Sequence, residues 1–288
     1  MTTNPSPRVD TEKHPNVCLF DVTDEFISES ERIIQSSNNS VPEFWQQKYE
    51  RENSKNWDTF YKHNESKFFK DRHYLVDEFE LSEFSTDGSF HVVDMGCGVG
   101  NALLPMLHHF PKMTATGFDC SGNAIGFLQE RLVSEGLSDR CLVSVADMTD
   151  SLVDFSQYYG TADYIFLLFV QSSISPEHYS NIRSLAWRIL KPGGSLLFRD
   201  YGKYDMAQLR FELSAKRQGN RISDGFYVRG DGTRAKFFSE EEIRKVYEGD
   251  LEFPFETGKI VLHTKKIVNR KTLVEMKRIW IQGKWTKI

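Results

Sequence analysis

From about residue 85 onward, short continuous apolar runs alternate with longer stretches whose apolar residues recur at helical spacing. Continuous runs suit strands covered on both faces, and the alternation is that of a parallel sheet flanked by helices. The runs at 90–95, 113–119, 141–147, 163–170 and 194–200 are the expected strands, and 101–110, 122–136 and 176–191 the expected helices. The last helix begins after Ser175-Pro176 and stops at Lys191-Pro192-Gly193-Gly194, residues that end helices. Residues 258–270 and 273–285 instead read as two strands joined by a short turn, an antiparallel hairpin that closes the sheet.

Residues 1–41 differ: eight acidic and three basic groups through Glu43, much Ser, Asn and Pro, and little sustained periodicity. They are expected to be a disordered or loosely docked acidic arm. Residues 42–84 mix helix formers with many aromatics and cations, and read as an ordered helical extension. Residues 85–288 form the main α/β domain, with a basic insertion at about 202–238.

The chain has 288 residues, enough for one large domain, and 27% are charged. It has no window of the roughly 18 uncharged apolar residues that a spanning helix needs. Its polar start, MTTNPSPRVD, has no signal-peptide-like apolar stretch, so a cytoplasmic protein with no membrane contact is expected. Cys18, Cys97, Cys120 and Cys141 stand apart with no metal-ligand spacing, which argues against a disulfide framework or a zinc site. The net charge of −5 conceals nine Lys or Arg against Glu275 alone in residues 257–288. Such a basic tail is either a solvated face or a polyanion contact.

The segment VVDMGCGVGN (92–101) places Asp94 at a strand end, then Gly96, Gly98 and Gly100, then Asn101 and a helix. Glycines let the backbone turn tightly against a ligand while free helix amides face it. The next strand ends in Asp119, where a carboxylate would accept both hydroxyls of a ribose. The third ends in Asp147, placed to accept from an adenine amino group. A dinucleotide fold expects GxGxxG, whereas this loop is GxGxG preceded by an acid. That form resembles the S-adenosylmethionine loop of class I methyltransferases, in which the acid helps hold the charged amino-acid end. A NAD-type site and an empty, vestigial site are the alternatives, and each carboxylate alone reads as a solvated loop residue.

NWDTFYKHNESKFFKDRHY (56–74) and FRDYGKYD (198–205) interleave aromatics with cations. Trp57 and Tyr61 are four apart and share a helix face; Phe68 and Phe69 read as packing residues. Arg72 and His73 follow, although His73 equally suits an ordinary partly buried histidine. Arg199, Asp200 and Tyr201 fall at the C-terminal end of the fifth strand, where ligands bind in open α/β sheets. FYVRGDGTRAKFF (226–238) adds Arg229 and Arg234 around a Gly-Asp-Gly turn. Rings that stack bases beside cations that pair with phosphate suit an extruded nucleotide.

NWDTFYKHNESKFFKDRHYL, VVDMGCGVGN, LLFRDYGKYDMAQLRF, FYVRGDGTRAKFF and KRIWIQGKW, in that order, resemble the eukaryotic family that makes 3-methylcytidine in tRNA, from about Trp45 to Ile288. VNRKTLVEMKRIWIQGKW and the N-terminal extension look most like the branch acting at cytidine 32 of the anticodon loop of threonine tRNAs; serine or arginine tRNAs are further candidates. The resemblance implies a Rossmann-like class I fold, S-adenosyl-L-methionine as cofactor, S-adenosyl-L-homocysteine as product and no metal. It implies that Trp57, Tyr61, Gly96, Asp119, Asp147 and Leu168 contact the cofactor and that Asp200 lies beside the base as the catalytic carboxylate. Arg72, Arg199 and Arg229 would take flanking phosphates or the base oxygen. The partner would be the anticodon stem-loop, with seryl-tRNA synthetase or another helper possible. Two departures stand out: Tyr74 replaces the family's usual Trp, and residues 216–225 are longer than in some members. The alternatives are a methyltransferase acting on a protein or small molecule, and a non-catalytic tRNA-binding subunit.

Overall fold

The computed structural model describes residues 17–81, 88–214, 219–256, 258–268 and 274–288. An eight-stranded mixed sheet forms its centre. In chain order its strands are β1 Val17–Cys18, β2 His91–Met95, β3 Thr114–Asp119, β4 Cys141–Val145, β5 Ala162–Leu168, β6 Leu190–Tyr201, and, later, β10 Lys259–Val268 and β11 Glu275–Thr286. They lie in the order β1-β10-β11-β6-β5-β2-β3-β4. Strands β4, β3, β2, β5 and β6 run parallel; β11 pairs antiparallel with β6, and β10 with β11. The expected apolar runs are these five strands, within a few residues at each end, and the expected hairpin is β10–β11; its turn at 269–273 lies outside the described residues.

The chain reverses direction of growth at β2, which lies between β3 and β5. In such sheets the crevice beyond the strand ends at that point is where ligands bind. Helices α5 (Leu103–His109) and α6 (Gly122–Ser134) join β2 to β3 and β3 to β4, and α7 (Tyr179–Ile189) precedes β6. The helix expected from residue 176 begins as a single 3₁₀ turn, Pro176–His178, because proline preorganises the first turn and cannot donate within it. The two sides of the sheet bury separate cores, one around Val92, Leu103, Leu107 and Leu128, the other around Ile165, Leu167, Ile182 and Leu196.

Between β1 and β2 come α1 (Asp24–Ser36), α2 (Glu43–Arg51), α3 (Asn53–Asn64) and the single turn α4 (Leu75–Glu78). The arm shows more order than its composition suggests. Thr23 caps α1 by accepting from the Phe26 amide at 3.2 Å, and Ser30 and Ile34, one turn apart, are buried. Strand β1 adds to the edge of β10. Residues 1–16 lie outside the described part. The insertion contributes α8 (Met206–Leu213) and a separate antiparallel sheet of β7 (Arg221–Ser223), β8 (Phe226–Val228) and β9 (Arg234–Lys236), followed by α9 (Glu240–Tyr247).

Candidate active site

Helix α3 crosses the C-terminal ends of the parallel strands and is anchored there by its polar side chains. Asp58 accepts from the Ser121 hydroxyl at 2.8 Å and from the Asn123 amide at 2.9 Å, so it caps α6 from outside the helix. Ser54 bonds Asp147, and Asn56 donates to the Gly232 carbonyl at 3.1 Å. Beneath α3 lies a cavity of about 570 Å³, within the range of small-molecule sites.

Trp57, Tyr61, Asp94, Gly96, Gly98, Asn101, Asp119, Asp147 and Leu168 all line that cavity, as do Arg72, Tyr201, Arg229 and Arg234. Gly98 has φ +53°, and a Cβ there would stand 2.5 Å from the Tyr61 hydroxyl oxygen, so glycine is required both by the turn and by the ring above it. Gly100 does not line the cavity. A Cβ on it would meet Leu128 Cδ1 at 2.4 Å, so this glycine lets the loop pack on α6.

Three carboxylates line one wall of the cavity, each in a different environment. Asp94 is 2% exposed, and its carboxylate accepts no hydrogen bond among the described residues. Burial pushes its carboxyl up to about 7, with Arg72 pulling it down and Asp119 pushing it up. Asp119 is also raised by burial, against amide bonds from Gly98 and Ser121, both at 2.9 Å. Asp147 moves the other way: against burial, Ser54 and Thr149 hold it below the ordinary carboxylate range, the Thr149 hydroxyl at 2.7 Å. Asn53, Trp57 and Tyr61 fall four residues apart on one face of α3, and all three line the cavity. Asn53 Oδ1 and Trp57 Nε1 are buried without partners among the described residues.

These groups fit S-adenosyl-L-methionine. An unpartnered carboxylate suits its ammonium group, two strand-end carboxylates suit hydroxyls and an amino group, and the orphaned acceptor and donor on α3 suit the remaining polar edges.

The far end of the cavity is cationic and aromatic. Arg72 donates to the Leu168 carbonyl at 3.1 Å and lies 4.7 Å over the Phe169 ring. Arg229 donates to the Arg234 carbonyl at 2.7 Å. Arg234 is 2% exposed, paired with Glu50 and bonded to the Ser175 hydroxyl at 2.8 Å. Arg278 is held by the buried Asp205 at 2.8 Å.

Arg199, Asp200 and His73 do not line the cavity. Arg199 is expected at the substrate, and the structure places it instead in a buried pair with Glu78, bonded to Gln282 at 3.0 Å. Alternation along β6 explains the difference: Tyr201 and Arg199 share a face, but Tyr201 is two residues nearer the strand end, while Arg199 is closed off behind Tyr74 and Trp280. Burial lowers Arg199 to about 10. Asp200 faces the opposite side, fully buried, and accepts from the Ser172 amide at 2.8 Å and the Tyr201 amide at 2.9 Å. Burial raises its carboxyl to about 6. His73 is exposed on the surface.

Some lining residues have no counterpart among the sequence candidates: Asn53, Phe169, Arg278 and Trp280. Asn53 was accessible from the four-residue step back from Trp57. Arg278 and Trp280, two apart on one strand face, were accessible from β periodicity within the basic tail.

Residues 92–194 match the family described as methyltransferase domain. The chain is 37% identical to human tRNA N(3)-cytidine methyltransferase METTL6 over 265 residues, covering 90% of this chain and 89% of that protein. It is 35% identical to Drosophila melanogaster tRNA N(3)-methylcytidine methyltransferase Mettl2, covering 88% and 78%. It is 34% identical to the Saccharomyces cerevisiae tRNA(Thr) (cytosine(32)-N(3))-methyltransferase, covering 88% of this chain and 40% of that one. Among solved structures, a Methanosarcina mazei SAM-dependent methyltransferase aligns with TM-score 0.50 at 19% identity, over 69% of this chain and 93% of that one. Haemonchus contortus phosphoethanolamine N-methyltransferase 2 in complex with S-adenosyl-L-methionine aligns with TM-score 0.51 at 14% identity, over 81% and 56%. The likeness to solved structures shows the class I fold, and the sequence relatives show that this chain belongs to the tRNA N3-cytidine methyltransferase family.

Proposed function

We propose that this chain methylates N3 of a cytidine in the anticodon loop of a tRNA, at cytidine 32 of threonine tRNAs, in the cytoplasm. The observation that carries the reading is one continuous cavity with a carboxylate wall fit for S-adenosyl-L-methionine at one end and a rim of rings and guanidiniums at the other. The cofactor supplies a methyl group on a cationic sulfur; transfer forms an N–C bond, breaks an S–C bond and leaves S-adenosyl-L-homocysteine.

N3 of neutral cytosine has an in-plane lone pair and no proton, so no side chain has to act as a base. The protein's part is to hold acceptor and donor in line and to exclude water. Asp94 orients the cofactor's ammonium group, Asp119 its ribose and Asp147 its adenine. Because N3 lies on the Watson–Crick edge, the target must be unpaired, and an anticodon loop offers such a base at reduced unstacking cost. Asp200 acts through Tyr201 and Ser172, whose amides it fixes at the rim, rather than by touching the base.

The test is nucleoside mass spectrometry on separated tRNAs incubated with labelled cofactor, with and without seryl-tRNA synthetase or a cell extract. 3-Methylcytidine in threonine tRNA is expected. Methyl transfer to protein or to small molecules alone overturns the reading. Asp200→Ala should reduce turnover at least 100-fold while calorimetry shows cofactor affinity within about threefold; equal loss of both would remove its positioning role.

A further inference from the structure

One residue at the rim has a backbone conformation that its side chain does not favour. Phe169 has φ +61°, a region in which a bulky non-glycine residue is an outlier. It directly follows the end of β5, its amide donates to the Arg199 carbonyl at 2.7 Å, and its ring lines the cavity. Such an outlier is held because the surroundings determine it. Here they place the ring between two functional neighbours. Arg72 lies 4.7 Å over it, and the Tyr201 ring stands 5.2 Å away at 55°. Arg229 lies 5.9 Å from the Tyr201 ring centre and Arg278 6.0 Å. The result is a row across the rim, Arg72, Phe169, Tyr201, Arg229.

The two cations that end the row differ from the other arginines of the cavity. Arg234 and Arg278 are neutralised by Glu50 and Asp205 in direct ion pairs. Arg72 and Arg229 form no ion pair among the described residues; their bonds go to carbonyl and hydroxyl oxygens, and Asp94 and Asp200 act on them only at a distance. An uncompensated guanidinium at an aqueous rim attracts a phosphate, whereas a paired one offers directed donors to a neutral group.

Resting on the tRNA reading above, we infer that Phe169 is a positioning residue for the methyl acceptor: with Tyr201 it forms a two-ring seat for an extruded pyrimidine, and Arg72 and Arg229 hold the phosphates on either side. The left-handed backbone turns the ring into the row; an ordinary β conformation would carry the chain onward without it. The seat is sequence-tolerant in itself, so it recognises a nucleotide, and the paired Arg234 and Arg278 are left to distinguish the base.

The experiment uses the full chain with Phe169→Gly, Phe169→Leu and Phe169→Tyr. Glycine accepts φ +61° freely, so Phe169→Gly deletes the ring without asking for a new backbone, and Phe169→Leu keeps apolar bulk without a ring. Both should lower kcat/KM for tRNA by roughly 10- to 100-fold, the size of a lost base–ring stack, while cofactor affinity by calorimetry stays within twofold. Phe169→Tyr should restore activity to within threefold of wild type. Arg72→Gln and Arg229→Gln should each reduce the slope of log affinity against log salt, measured with an anticodon stem-loop, by about 1. The inference is overturned if Gly and Leu both leave kcat/KM within threefold of wild type, if cofactor affinity falls in parallel with it, or if neither arginine substitution changes the salt slope. If wild-type protein forms no 3-methylcytidine in any tRNA, the tRNA reading itself fails; an active wild type with indifferent Phe169 variants refutes this inference alone.

Discussion

The two ends of the cavity are built on different principles. The proposed cofactor wall comes from one contiguous loop, two strand ends and one helix face, and two of its three carboxylates are buried: Asp94 and Asp119 are at most 8% exposed, while Asp147 is half-buried. The acceptor rim draws Arg72, Phe169, Tyr201, Arg229 and Arg278 from five separate segments, and its charges are held by carbonyls, rings and paired carboxylates. A wall fixed by backbone geometry is intolerant of small changes in shape. A rim of long side chains tolerates shape and responds to charge.

The sharpest way to break that contrast is at Gly98. With φ +53° and the Tyr61 hydroxyl 2.5 Å from the position of a Cβ, Gly98→Ala strains the backbone and displaces the ring that covers the loop. Cofactor affinity should fall at least 100-fold by calorimetry, whereas anticodon stem-loop affinity should stay within threefold. Loss of both together would mean that wall and rim are one mechanical unit.

The same contrast decides what was legible in the sequence. The loop around Gly96 and Gly98, Asp119 and Asp147 were readable because strand ends and glycine spacing place them by backbone alone. Residue types at the rim were also readable, but not their aim. Arg199 and Tyr201 look equivalent in FRDYG, yet a two-residue step along β6 separates a buried ion pair from a rim ring. Asp200 lies between them and, by alternation, on the other face. Phe169 sits in an apolar run that reads as strand throughout; its positive φ is set by tertiary packing, which no local pattern encodes. Gly100 was readable as part of the motif, whereas its contact with Leu128 belongs to helix packing.

Asp94 sharpens the comparison through pH. Its carboxyl is raised to about 7 by burial, and a bound ammonium group would favour the ionised form. Cofactor binding should therefore release close to one proton near pH 6, visible as a dependence of calorimetric enthalpy on buffer ionisation. Affinity should fall by up to about tenfold per unit below pH 6 and level off above pH 8. The cofactor-free fold should behave in the opposite sense. A carboxyl with a folded pKa above its unfolded value contributes stability that is complete below about pH 4 and is lost as pH rises through about 7, by up to about 1.4 kcal/mol per unit. Asp94→Asn should flatten the affinity profile and make the stability profile shallower, with the slopes from the raised Asp119 and Asp200 remaining; an unchanged affinity profile would remove Asp94 from the ammonium site.

The smallest effect should come from Glu50, which touches neither reactant and ties α2 to the insertion. It pairs with Arg234 on β9 and accepts from the Ser175 hydroxyl, with His178 at 3.8 Å. Removing it leaves Arg234, 2% exposed, without its carboxylate. In a fully dry site that would cost about 3–5 kcal/mol, but the Glu50 side chain is 37% exposed and solvent screens the pair, so about 1–2 kcal/mol is the reasonable expectation for Glu50→Gln. Against burial, Arg234 and Ser175 hold the Glu50 carboxyl below its ordinary value. Its contribution is therefore present above about pH 4.5 and fades as pH falls through the depressed value, so wild type and Glu50→Gln should converge in melting temperature in acid. Cofactor affinity should change little, because Glu50 bonds Arg234 and Ser175 and no residue of the cofactor wall. Acceptor affinity should weaken a few-fold as Arg234 loosens, and a variant that lost cofactor affinity instead would show that charge at the rim reaches the wall after all.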